Sequence, residues 1–165
     1  FDLSPTGKGW FARGKGTWGM FFPLGRLPVP GETWHLGEGC KDPVALHEMG
    51  YHAAGLPSSA MPAEHAQLFA GVNVIIIPDL DSAGQRGAQT TGARLAGIAA
   101  SVRIARLPGE MKASHGDDVR DALRRPNGEA LVRAAIAEAA EWAPAEGTRE
   151  ERRAARARGL RPPLD

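Results

Sequence analysis

The apolar positions of the chain are densest over residues 72–77, VNVIII, where β-branched side chains run on with only Asn73 between them. Such a run, apolar on both faces, predicts a buried parallel strand. It stops at Pro78, which has no N–H to give a strand ladder, and is followed at once by Asp79, Asp81 and Gly84. Around it the pattern alternates between strand and helix. Residues 51–55 read as a short strand, 62–70 as a helix closed by Gly71, and 83–95 as a second helix; 100–107, ASVRIARL, alternate as a strand nearer the sheet edge. Asp42-Pro43 opens a helix in the favoured order of cap and first-turn proline; Val44, Ala45, Leu46 and Met49 form its apolar stripe, and Gly50 closes it. A short helix is expected over 119–125 and a closing amphipathic helix over 127–142, with Leu131, Ala135, Ile136 and Trp142 available to pack on the sheet. Before all of these, 17–24 and 33–36 read as the strands of a hairpin around the Pro- and Gly-rich connection 25–31. The whole is a βαβ pattern, an α/β fold with a parallel four-stranded sheet flanked by helices and a small N-terminal β-hairpin region.

With 165 residues the chain is about one domain long and has the apolar content for a core. Four segments are expected: a basic, Gly-rich start over 1–32, a core over 33–125, a packing helix within 126–143, and a charged linker or tail over 144–165. The net charge of +1 hides an uneven distribution, with Lys8, Arg13, Lys15 and Arg26 near the start and arginines crowded between Arg149 and Arg161. A single cysteine, Cys40, excludes a disulfide framework or a zinc ribbon made by this chain alone and fits a reducing compartment. No apolar run is long enough to span a bilayer and the start lacks a signal-peptide pattern, so the expected location is cytoplasmic. The first residue is Phe1 rather than Met, and we expect a piece of a longer protein.

Two phosphate-binding patterns are nearly spelled near the start and neither holds. Residues 9–16, GWFARGKG, end in Gly16 where a P-loop needs Ser or Thr; residues 14–19, GKGTWG, run into a predicted strand where a dinucleotide fingerprint needs a helix. The carboxylates carry more. Asp79 and Asp81 sit at the carboxyl end of the central strand, where open α/β sheets bind ligands, and two acids fixed there call for a divalent cation such as magnesium or manganese. Glu38 lies between Gly37 and Gly39 at a second strand end, placed to ligate metal or act as a general base. Asp117 and Asp118 follow a third strand, with Asp121 behind them; each is also a good cap or first-turn acid for the next helix, as Asp42 is for its own. His35, His47, His52, His65 and His115 have no spacing that makes a zinc site.

In their order, GEGCKDPVAL, then an apolar strand ending in PDLDSAG, then GDDVRDAL, these segments resemble the Toprim domain, the Rossmann-like catalytic fold of bacterial-type primases, topoisomerases and several nucleases. The resemblance covers residues 33–123. It implies Glu38 as general acid or base and metal ligand, Asp79 and Asp81 as ligands of Mg2+ or Mn2+, and Gly39 and Gly84 as positions where the backbone needs freedom. The first segment has the primase form EGxxDxxAL, which implies a metal-site role for Asp42. The last implies Asp118 as a further ligand, with Asp117 and Asp121 less certain members, because Lys112 stands several residues away from the acids it adjoins in phage and plasmid primases.

The implied activity is metal-dependent nucleotidyl transfer in DNA replication: primer synthesis on a single-stranded DNA template from nucleoside triphosphates. Lys8, Arg13, Lys15, Lys41 and Lys112 are candidates to grip template or triphosphate, and zinc-binding and helicase-like domains of the same longer protein are the implied partners. No membrane partner is expected. Two alternatives remain at this stage, a Toprim nuclease using the same acids with water, and a noncatalytic nucleic-acid-binding module. The clustered acids weigh against the module, since without metal they would repel nucleic acid.

Overall fold

A computed structural model describes residues 19–144. Its strands are β1 (Thr33–Glu38), β2 (Ala53–Leu56), β3 (Asn73–Ile76), β4 (Ser101–Ile104) and β5 (Ala140–Glu141). They form one sheet in the order β2-β1-β3-β4-β5, parallel but for the last strand, so the apolar run of residues 72–77 is indeed central. The helices are α1 (Lys41–Glu48), α2 (Ser82–Leu95), α3 (Val119–Leu123) and α4 (Gly128–Ala137), and a 3-10 helix spans Ala63–Phe69.

Alternation along the strands divides the core. Trp34, Leu36, Val74 and Ile76 point to one face and meet Phe69, Met61 and Leu95 from the 3-10 helix, the loop before it and α2. Ile75, Ile77, Ala105 and Leu107 point to the other and meet Leu46, Val119, Ala122, Val132 and Ile136 from α1, α3 and α4. Both faces of β3 are therefore covered, as a parallel strand without polar interruptions requires.

Three expected elements differ. The segment before β1 does not form a hairpin with it; Phe21 instead makes an antiparallel bridge to Gly55 of β2, because both sides of β1 are already taken by β2 and β3. The closing helix ends at Ala137 rather than running to Trp142. The chain turns there into β5 beside β4, where the Trp142 amide donates to Val102 O at 2.9 Å and its ring lies over Gly92. Finally, α1 begins at Lys41 with Cys40 in the cap position, and Asp42 lies inside the first turn instead of capping it.

Candidate active site

The acids converge where the carboxyl ends of β1 and β3 lie together. Leu36 pairs with Ile76, and the Ile77 amide continues the ladder to Leu36 O at 2.8 Å. Two residues further along β1 comes Glu38; past Pro78, beyond β3, comes Asp79. The turn from β1 into α1 passes through Gly39, whose φ of +64° is one a side chain rarely adopts. Gly55 on β2 lies so close beneath that turn that a Cβ there would stand 1.9 Å from Gly39 O.

Asp79 and Asp81 are neighbours with opposite surroundings. Asp81 caps α2: its Oδ1 accepts the amides of Ala83 (2.9 Å) and Gly84 (2.8 Å), and its Oδ2 accepts that of Gly116 (3.1 Å). These amides, Gly84's foremost, hold its carboxyl below the usual aspartate range despite burial. Asp79 Oδ1 is buried without a hydrogen-bond partner among the described residues, and so is Glu38 Oε1. Burial first, then Glu38, Asp42, Asp118 and Asp81, push Asp79 up to about 8. Burial and the charges of Asp81 and Asp42 likewise raise Glu38.

The turn holding these two aspartates is closely packed. A Cβ on Gly84 would lie 2.6 Å from Asp79 O, and one on Gly116 would lie 2.2 Å from Leu80 C. The 112–117 loop is tied to it by backbone bonds, Lys112 N to Leu80 O at 2.9 Å and Leu80 N to Asp117 O at 3.0 Å. Glycine at both positions follows from this close approach, not from an unusual φ.

Asp42 reaches across from α1 to α3. It is 2% exposed, accepts Arg120 Nε at 3.1 Å and the Val119 amide at 3.4 Å, and is raised to about 6 by burial and by Asp118. Asp118 caps α3 in a capping box with Asp121, and also pairs with Arg120. Asp117 is drawn away by Lys112 and Arg125, and Asp121 by Arg124. The structure thus brings Glu38, Asp42, Asp79, Asp81 and Asp118 into one electrostatic cluster and commits Asp117 and Asp121 to ion pairs beside it. Lys41 is exposed at the first residue of α1, and Lys112 runs beside Asp81 with its ammonium on Asp117. Lys8, Arg13 and Lys15 lie outside the described residues.

Sequence reasoning missed Arg120, Gly116 and Gly55. The one available signal was an arginine set between acids in DDVRD, a pattern that also fits an exposed helix. Among the described residues no group of three or more His, Cys, Asp or Glu side chains is arranged to enclose a metal ion unaided.

A parallel sheet with acids at the carboxyl ends of β1 and β3, and a third acidic segment leading into α3, is a Toprim fold. It is a Toprim fold of the primase type. The chain is similar to the primase of Aquifex aeolicus, in a structure of its zinc-binding and RNA polymerase domains, at 23% identity over 68% of this chain and 27% of that one, with a TM-score of 0.54. It is similar also to a DnaG primase catalytic domain bound to single-stranded DNA (27% identity, 68% and 35% covered, TM-score 0.50) and to a DnaG catalytic core (28%, 68% and 36%, 0.50). The chain spans between about a quarter and a third of the length of these structures. No protein-family model and no curated protein sequence matches it. Among the described residues no helix is long and apolar enough to cross a membrane.

Proposed function

We propose that the chain carries the catalytic centre of a DNA primase-type nucleotidyltransferase, which joins nucleotides from nucleoside triphosphates on a single-stranded DNA template, each 3′-hydroxyl attacking an α-phosphorus with release of pyrophosphate. The observation that carries this reading is the pair of unpartnered buried oxygens, Glu38 Oε1 and Asp79 Oδ1, at adjacent strand ends of a primase-type Toprim fold.

Buried acceptors without donors, among carboxylates that raise one another's proton affinity, fit a hard divalent cation. Mg2+ in particular takes one or two carboxylates and completes its shell with water and phosphate oxygens. Glu38 and Asp79 would hold Mg2+ or Mn2+. Once bound, the ion supplies charge that offsets the triphosphate and activates a 3′-hydroxyl.

The protein's own residues have separate tasks in this reading. Glu38 accepts the hydroxyl proton as general base from the end of β1. Asp81, fixed by three amides, holds the turn so that Asp79 keeps its place. Lys41 meets the triphosphate from the start of α1, and Lys112 does so by exchanging Asp117 for phosphate. Lys8, Arg13 and Lys15 extend the contact along the template. Template recognition and unwinding fall to zinc-binding and helicase-like domains of a longer cytoplasmic protein.

A gel assay with single-stranded DNA, Mg2+ or Mn2+ and labelled nucleoside triphosphates tests this beside Asp79→Asn and Glu38→Gln. New short oligonucleotides that fall at least a hundredfold in both variants are expected, a loss of the size that follows removal of a group stabilising transition-state charge, ~10²–10³. Template shortening lost in the same variants would instead make the enzyme a nuclease.

A further inference from the structure

One side chain in the cluster carries the opposite charge. The guanidinium of Arg120 donates through Nε to Asp42 Oδ1 at 3.1 Å and through Nη2 to Asp118 Oδ2, while Val119 N reaches the other oxygen of Asp42. It therefore joins an acid of the segment after β1 to one of the segment before α3, 76 positions apart by number (118 minus 42). Asp42, at 2% exposure, could not keep a negative charge there without such a partner. Among the described residues Glu38 and Asp79 form no ion pair of this kind, and Lys112, beside Asp81, is held by Asp117.

Apart from Asp81, which three backbone amides hold, the acids of the cluster fall into two pairs. Asp42 and Asp118 are neutralised by the protein itself, and Glu38 and Asp79 are left for something else. A planar guanidinium with two separate donors can bridge two carboxylates as a divalent ion would, but with its charge fixed to the chain.

We propose that Arg120 is a built-in cation of this acidic site, holding Asp42 and Asp118 together in place of a second metal ion, so that the nucleotide-free protein takes one metal ion, at Glu38 and Asp79. The inference rests on the primase-type reading of the site. In it Arg120 is a positioning residue. It keeps the two acids from repelling each other and from competing for the ion at Glu38 and Asp79.

Mn2+ binding to the whole chain, counted by electron paramagnetic resonance and calorimetry without nucleotide or DNA, tests this in the wild type, Arg120→Gln and Arg120→Lys. The expected counts are one ion for the wild type, two for Arg120→Gln and one for Arg120→Lys, which keeps the charge. Thermal unfolding is followed alongside. The melting temperature of Arg120→Gln should rise more with Mn2+ than that of the wild type, and a variant that folds only when Mn2+ is added supports the same conclusion. An unchanged count in a folded Arg120→Gln, or the same Mn2+-induced rise as in the wild type, overturns it. So does an Arg120→Gln chain that stays unfolded at saturating Mn2+ while Arg120→Lys folds. The primase reading fails differently, by absence of new oligonucleotides while these counts stand.

Discussion

Glu32, just ahead of β1, and Glu38, at its far end, lie on one extended segment and live in opposite circumstances. Glu32 accepts Trp34 Nε1 at 2.9 Å and the Val29 amide at 3.0 Å and pairs with Arg26; Trp34 foremost, then Arg26, lower it to about 2. Glu38 has a buried oxygen with no partner, and burial raises it. At the amino end of the strand the fold satisfies its acid and draws order from it. At the carboxyl end it leaves Glu38 Oε1 and Asp79 Oδ1 without partners among the described residues, a cost to stability.

The largest effect expected from breaking this contrast comes from the turn that holds the unsatisfied end. Gly84→Ala places a Cβ 2.6 Å from Asp79 O and 3.0 Å from Asp79 N, so the turn must move. Overpacking of this kind costs ~1–3 kcal/mol, and a shift of ~1 Å at a reacting group costs ~10²-fold in rate. Thermal unfolding and calorimetric Mn2+ titration should show a lower melting temperature together with weaker binding. If both are unchanged, close packing does not fix Asp79.

A smaller effect is expected from pH. In the folded chain Asp79 titrates near 8 rather than at its ordinary 3.8. The folded state then holds the proton more tightly than the unfolded one, so the contribution of Asp79 is complete below its ordinary value and is lost as pH rises towards 8. The metal-free protein should lose stability between pH 5 and 8, and Asp79→Asn should lose less of it. Because the carboxylate is only half-buried and partly screened by water, the difference should be about 1 kcal/mol, or about 2–4 °C in Tm for a domain of this size. A steeper loss in the variant than in the parent would reverse the sign of this argument.

The smallest effect belongs to the satisfied end. Glu32, lowered from 4.5 to about 2, contributes stability that is present above its ordinary value and lost as pH falls through 2. Glu32→Gln should lower Tm slightly at pH 7, by an amount that vanishes near pH 2, and leave Mn2+ binding as it was. A loss of Mn2+ binding would join the two ends of β1 into one functional unit.

Much of this was legible because the informative residues sit at strand ends. The run VNVIII marked the central strand, and PDLD after it placed two acids at the sheet's carboxyl edge. What stayed hidden depends on contacts across the chain. That Asp81 is the partnered aspartate and Asp79 the unpartnered one follows from the amides of Ala83, Gly84 and Gly116, the last from a distant loop. Asp42 read as a cap because Pro43 follows it, yet its carboxylate turns inward to α3. The end of α4 was illegible for another reason. Residues 138–142, EAAEW, continue the helical composition with no glycine or proline before Pro144, and only the free side of β4 draws them into a strand.

Phe21 and Gly55 exchange two backbone hydrogen bonds, of 2.9 and 2.7 Å, along the outer side of β2. β2 is the border strand of the sheet, short, apolar and buried, the kind of margin onto which a strand from another molecule can add. Phe21 occupies part of that margin and leaves less of it open to another molecule. In a polypeptide carrying such a margin, what precedes the first strand of the sheet bears on solubility.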